Sequence, residues 1–150
     1  MEYSIGKPGR IIAVKLDEGE NLYESIENLA QKENISCGAV FITGGFRKAA
    51  IVVGPKEERP IVPLFKQFEG PGEVLGVGTL YRDDEGKPKM HLHCAAGKED
   101  QVIAGCPRGG TEVFLILEIT IIEFEGITGV RKFAAEHGVK LLTFEKNSGI

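Results

Sequence analysis

Most apolar residues of this chain occur in short, strand-like runs, and only one segment has clear helical spacing. Residues 21–33 carry apolar positions three or four apart, with charged positions opposite: Leu22, Ile26, Leu29 and Ala30. Asn21, the first residue of this segment, is a candidate N-cap, and Glu24 lies three residues after Asn21, at the spacing of a capping box. The pattern therefore predicts one main amphipathic helix over residues 21–33.

The other apolar runs predict strands that are joined by short turns. Strands are predicted over residues 9–15, 37–43, 49–53, 61–68, 74–81, 89–95, 111–123 and 141–144. Breaks are expected at Gly44-Gly45 and at Gly70-Pro71-Gly72, a short helical turn at residues 133–137, and a frayed tail over residues 147–150. Because short turns imply antiparallel neighbours, we predict an α+β domain with a strongly bent, largely antiparallel sheet.

Length and composition narrow the class of protein. The 150 residues suit a single domain, residues 1–150, with a core that needs no disulfide. A net charge of −4 argues against nucleic-acid binding by bulk electrostatics, although a local basic patch remains open. No apolar run approaches the ~20 residues that span a bilayer, and no signal peptide opens the chain. We therefore expect a cytoplasmic protein without a membrane partner.

The candidate chemistry lies in His91-Leu92-His93, inside the predicted strand 89–95. Residues i and i+2 of a strand point to the same face, and imidazole is the commonest protein ligand for a metal. Cys106, thirteen residues later in a glycine-rich turn, is the best candidate for a third ligand. Alternatively, the histidines are a hydrogen-bonded pair and Cys106 is a small buried thiol. Cys94 has odd spacing from both histidines, so it should point into the core.

Several other residues have a predicted place. Cys37 should be buried, and His137 should lie on the surface at a helix C-terminus. Ligating histidines usually donate their second N–H to a carboxylate or carbonyl, for which three carboxylates are candidates: Glu73, Glu112 and Glu118. Gly76 and Gly78 indicate close packing by a neighbouring backbone or another subunit.

Several segments, in their order and spacing, resemble the PPC domain (plants and prokaryotes conserved domain). They include LDEGENL at residues 16–22, FITGG at 41–45, EGPGEVL at 69–75 and HLH at 91–93. They also include Gly105-Cys106 leading into TEV at residues 111–113. The resemblance covers roughly residues 5–145.

This resemblance implies a homotrimer that acts as an interaction or regulatory module, with DNA or a protein as partner. The chain has no Arg-Gly-Arg-Pro core, so it resembles the stand-alone prokaryotic type without an AT-hook. Several family members combine H-x-H with a third histidine in a metal site. Here Cys106 stands where that histidine would be, which implies a zinc site of His91, His93 and Cys106.

The same fold group resembles acetolactate decarboxylase, a zinc lyase with histidine ligands. The alternative hypothesis is therefore a zinc-dependent enzyme, either a hydrolase or a small-acid lyase, that uses the His91, His93 and Cys106 site. Its acid or base would be a residue such as Glu73 or Arg108. The module hypothesis is motivated by the family resemblance and by the lack of a recognisable catalytic base.

Overall fold

Among the residues that the structure describes, the fold consists of one eight-stranded sheet and a single helix that packs against it. The structure is a computed structural model, which describes residues 1–144. In chain order the elements are β1 (Lys7–Asp17), α1 (Leu22–Lys32), β2 (Cys37–Glu58), β3 (Ile61–Asp83), β4 (Pro88–Lys98), β5 (Gln101–Pro107), β6 (Glu112–Glu125), β7 (Gly129–Ala134) and β8 (Val139–Phe144).

The strand order makes a small barrel possible. It runs β1-β6-β2-β5-β4-β3-β7-β8, and β2 also pairs with β3, so that β2, β5, β4 and β3 close on one another. The pairings are antiparallel except for the parallel contact between β3 and β7. The predicted antiparallel sheet is confirmed. The predicted α+β class is corrected to mainly β, because residues 1–144 contain a single helix of 11 residues beside an eight-stranded sheet.

The two longest strands correct the predicted breaks. Residues 37–43 and 49–53 are parts of the single strand β2, and residues 61–68 and 74–81 are parts of β3. The ladder between β2 and β3 shifts register between Phe46 and Lys48, and the ladder between β2 and β6 also shifts after Gly44, which adopts a φ of 141°. A Cβ on Gly44 would also lie 2.9 Å from the Leu117 Cα. The glycines bend the strands there instead of ending them, because pairing continues on both sides.

The helix prediction is confirmed, together with its N-cap at Asn21. The Asn21 side chain accepts a hydrogen bond of 3.1 Å from the backbone N–H of Glu24, as an N-cap should. Leu22, Ile26 and Ala30 are fully buried and join the apolar core between the helix and the sheet. Within residues 1–144, no helix has the length and hydropathy needed to cross a membrane.

The predicted helical turn at residues 133–137 is wrong, because this segment belongs to a β-hairpin. Ala134 pairs with Val139, and the backbone N–H groups of His137 and Gly138 both donate to the Ala134 carbonyl. Gly138 has a φ of 70°, which a glycine adopts without a steric penalty. His137 therefore lies in a hairpin turn. The predicted strand at residues 141–144 is confirmed as part of β8. The tail predicted to fray, residues 147–150, lies outside the described residues.

Two glycines of β3 let β4 approach closely. Gly76 pairs with Cys94 and Gly78 pairs with Leu92. A Cβ on Gly78 would lie 2.8 Å from the Leu92 Cα, and one on Gly76 would lie 2.9 Å from the His93 carbonyl oxygen. The neighbour that these glycines accommodate is therefore the backbone of the strand that carries both histidines.

This close approach predicts that Gly78→Ala destabilises the fold. The added methyl group must push β4 away, and overpacking of this kind costs about 1–3 kcal/mol. Gly109→Ala is the matched control, because a Cβ there meets nothing within 4 Å and should change stability by less than about 0.5 kcal/mol. Urea unfolding of both variants measures the difference. Equal stabilities would contradict the role given to Gly78.

Candidate metal centre

Strand β4 presents two imidazoles on its outer face. Met90, Leu92 and Cys94 alternate with the histidines and are buried in the core, while His91 and His93 are exposed. The two Nε2 atoms are 3.2 Å apart, and the rings meet edge-on at a centroid distance of 5.0 Å. The shared face that the i, i+2 spacing predicts is thus confirmed, as is the burial of Cys94.

Strand β5 brings Cys106 to the histidines. Cys94 pairs with Gly105, so the next step of this antiparallel ladder sets Cys106 opposite His93. Each of the three residues offers one ligand atom, and these atoms lie within 4.8 Å of one another. A Cβ on Gly105 would lie 2.9 Å from Ile51 Cγ2, so glycine permits the close contact with β2 that holds this end of β5.

The three donors fit a zinc ion in both chemistry and spacing. Zinc binds imidazole nitrogen at about 2.0–2.1 Å and thiolate sulfur at about 2.3 Å in a tetrahedron, whose ligand atoms are therefore about 3.3–3.8 Å apart. The two nitrogens, at 3.2 Å, are close to this separation, and the three ligand atoms lie within 4.8 Å of one another, so a side-chain movement of about 1 Å would bring Cys106 to the same distance. Three protein ligands leave the fourth position of the tetrahedron for another molecule.

The surroundings set the protonation of the donors. Partial desolvation of the ring against the cleft wall, together with the nearby charges of Arg131, His93 and Arg108, lowers the pKa of His91 to about 4, so the imidazole is neutral at pH 7. Neutral imidazole is the form that binds a metal. Burial raises the pKa of the Cys106 thiol, against the opposing effects of Arg108, the Leu92 backbone and Arg131.

The histidines and Cys106 line a cleft of about 530 Å³. Its wall is largely apolar and comes from β2, β3, β5 and β8, with these residues among others: Val52, Pro55, Ile61, Pro63 and Val139. A second lobe of about 550 Å³ shares His91, Arg108 and three apolar residues with the first, and it adds Arg131. No acidic residue among those described lines either lobe. The donors therefore open onto an electropositive, apolar-walled cleft.

The three carboxylates considered for orienting the histidines lie elsewhere. Glu112 pairs with Arg47 and Lys48, Glu118 lies beside Lys15 and Thr43 on distant strands, and Glu73 is exposed beside Gly97. None of them lines the cleft. Cys37 is buried as predicted, with its thiol directed at the Phe124 and Ile127 carbonyls.

Arg131 is the cleft residue that sequence reasoning missed. It lies in β7, and its side chain donates a hydrogen bond of 3.0 Å to Thr79 Oγ1 and lies over the Tyr81 ring. Thr79 is the residue of β3 that pairs with His91, so this contact brings Arg131 to the site. Residues 129–134 show no regular alternation of apolar and polar side chains, and nothing in the sequence places this segment beside β3.

Comparison with known proteins gives a consistent picture. The sequence model of the Plants and Prokaryotes Conserved (PCC) domain matches residues 3–125. A metal-containing protein from Archaeoglobus fulgidus is 25% identical, with a TM-score of 0.84, over 95% of this chain and 99% of that one. A plant- and prokaryote-conserved protein from Pyrococcus horikoshii is 24% identical, with a TM-score of 0.82, over 97% and 99% of the two chains.

Two further structures share the fold at lower identity. A protein from Ralstonia eutropha, provisionally named as DNA-binding, is 20% identical over 89% of this chain and 90% of its own, with a TM-score of 0.75. Acetolactate decarboxylase from Bacillus subtilis is 19% identical over 85% of this chain and 57% of its own, with a TM-score of 0.56. No curated protein matches the sequence.

Proposed function

Because this chain belongs to the Plants and Prokaryotes Conserved (PCC) domain family, we propose that it is a zinc-binding, homotrimeric interaction module. The observation that carries the proposal is the convergence of three donors from two strands, His91, His93 and Cys106, within 4.8 Å. Further support comes from the similarity over nearly the whole chain to a protein that is metal-containing. When bound, zinc supplies Lewis-acid chemistry, which polarises an oxygen atom of a neighbouring ligand.

The proposed centre predicts one zinc ion per chain and a loss of affinity when a ligand is removed. We expect His93→Ala and Cys106→Ala each to weaken zinc binding by more than about 100-fold, because even partners outside the ligand set contribute 10–100-fold. His137→Ala is the control, since this third histidine lies in the β7–β8 turn. Metal analysis and competition with a chromophoric chelator measure the affinities. If both cleft variants bound zinc as tightly as the wild type, the proposed metal centre would be contradicted.

The outer face of the sheet supports the proposed homotrimer. One row of paired residues crosses five strands, from Ala13 through Thr120, Phe41 and Val77 to His93. Phe41 and Val77 in this row, and Leu75 beside it, are large apolar side chains exposed by 42%, 55% and 64%. A second copy of the chain is the occupant that we propose for this face, because the face is continuous with the metal centre and is present on every copy.

Burial of this face predicts that Val77→Glu abolishes the trimer, because a carboxylate would be desolvated in an apolar contact. Light scattering should give about 49 kDa for the wild type, three times the 16.3 kDa of one chain, and about 16 kDa for the variant. Phe133→Glu is the control, since Phe133 is equally exposed but lies on β7. A monomeric wild type, or a variant that stays trimeric, would contradict this interface.

The partner of the module is proposed to be DNA or a protein. DNA is supported by the relatives that are provisionally named as DNA-binding, whereas the net charge of −4 opposes it. A cytosolic location is proposed as well, and the three free thiols support it, since thiols stay reduced there.

The DNA hypothesis makes a prediction that salt can test. Phosphate contacts release counterions, so binding must strengthen as the salt concentration falls. We expect retardation of a duplex in a gel at about 50 mM salt and its loss at about 200 mM salt. If the duplex migrates freely even at the lower salt concentration, the hypothesis of a DNA partner is excluded and that of a protein partner remains.

A zinc-dependent enzyme, a hydrolase or a lyase like acetolactate decarboxylase, is the alternative function. The apolar cleft beside the donors favours it, because substrate sites commonly have this form. Of the two candidate acid–base residues, Arg108 lines the cleft, while Glu73 lies four residues along β3 from Val77, about 13 Å by strand rise. Glu73 is therefore too distant to act as the acid or base of such an enzyme, and Arg108, which stays protonated, would bind a negative charge of the substrate instead of transferring a proton.

A further inference from the structure

The second lobe of the cleft contains more positive charge than the protein neutralises. Four cationic side chains line it: Lys89, Arg108, Arg131 and Lys140. Lys89 pairs with Glu27 at 2.9 Å, and Lys140 pairs with Asp83 and Asp84 at 2.9 and 2.8 Å. Among residues 1–144, neither Arg108 nor Arg131 has an acidic partner within ion-pair distance. The charges of these two guanidinium groups are therefore not neutralised by the described residues.

Arg131 has the more unusual environment of the two. Its exposure is only 7%, and its Nε has no hydrogen-bond partner among the described residues. Its known contacts are the hydroxyl of Thr79 and the face of the Tyr81 ring, both of them neutral groups. A buried charge without a counter-charge is costly, so proteins normally pair it. A guanidinium held in this way is suited to an anion that enters from the cleft.

Arg108 lines the same lobe as Arg131. Its backbone is fixed, because its N–H donates to the Ala50 carbonyl at 3.0 Å and its carbonyl accepts from Thr111 Oγ1 at 2.7 Å. Its exposed side chain lines both lobes, two residues after Cys106. Two guanidinium groups that line one lobe, Arg108 and Arg131, offer enough N–H donors to bind the two oxygens of one carboxylate.

The remaining walls are apolar and define the rest of the ligand. Ile61, Pro63 and Val139 border both lobes, and Leu141 borders the second. Ile61 and Val139 belong to different hairpins, which are joined by a hydrogen bond of 3.0 Å from the Ile61 N–H to the His137 carbonyl. A ligand that uses both features has one anionic end and a short hydrocarbon body. Inorganic phosphate would use only the arginines.

We propose that this cleft binds a small organic carboxylate, with its carboxylate group between Arg108 and Arg131 and its hydrocarbon body against Ile61, Pro63 and Val139. The inference deepens the proposed function and rests on it in one respect, because the ligand would lie beside the zinc held by His91, His93 and Cys106. The two arginines need no metal to be in place, so ligand binding can be tested with and without zinc.

The test is calorimetric titration of the full-length protein, both zinc-loaded and metal-free, with isovalerate as the probe. We expect saturable binding to the zinc-loaded protein, and at least about tenfold weaker binding of 3-methylbutanol, which has the same carbon skeleton without the charge. Arg108→Gln should weaken isovalerate binding at least about tenfold, and it should fold normally because the side chain is exposed. Arg82→Gln, the same change outside the cleft, should leave binding unchanged.

The outcomes separate this inference from the metal centre. Zinc binding without isovalerate binding overturns the carboxylate site and leaves the metal centre intact. Isovalerate binding that depends on Arg108 in a protein that takes up no zinc supports the carboxylate site and overturns the metal centre. Equal weakening by Arg82→Gln and Arg108→Gln overturns the carboxylate site, and so does binding of phosphate with no binding of isovalerate.

Discussion

The register of β4 between β3 and β5 is the constraint on which the candidate site depends. Leu92 is fully buried in the core and pairs with Gly78, which fixes the face that each residue of β4 takes. A slip by one residue would turn both histidines into the apolar core and Leu92 out of it. Because burying the two imidazoles and exposing Leu92 would be unfavourable, the register keeps both imidazoles on the outer face without any contribution from a metal.

The bend of the long strands builds the rest of the cleft. Strand β2 pairs first with β6 and then, beyond Lys48, with β5, while β3 accompanies it along both halves. A flat sheet would leave the ends of β2 and β3 far from β4. Because the strands curl into a small barrel, Ile61 and Pro63 at the start of β3 return to face His91. The bend thus places apolar walls beside the face that carries the three candidate ligands.

The sequence was most informative where the physics is local. The capped helix at residues 21–33 and the common face of His91 and His93 follow from periodicity and from alternation, which depend on near neighbours only. The continuity of β2 through Gly44-Gly45 could not be predicted in this way, because a glycine pair signals a break or a bend equally well and the partner strands decide. Arg131 lies 40 residues beyond His91, and only the parallel pairing of β7 with β3 brings it to the cleft.

The proposed metal and the proposed carboxylate are linked by charge. A zinc ion adds two positive charges next to Arg108 and Arg131, and the Cys106 thiolate offsets only one of them, because His91 and His93 are neutral ligands. An anion between the arginines reduces the repulsion that the metal experiences, and the metal in turn strengthens the attraction for the anion. By thermodynamic linkage, each must raise the affinity of the other by the same factor. Because no acidic residue among residues 1–144 lines the cleft, joint occupancy is favoured, so that the proposed module would report the simultaneous presence of a metal and a small carboxylate.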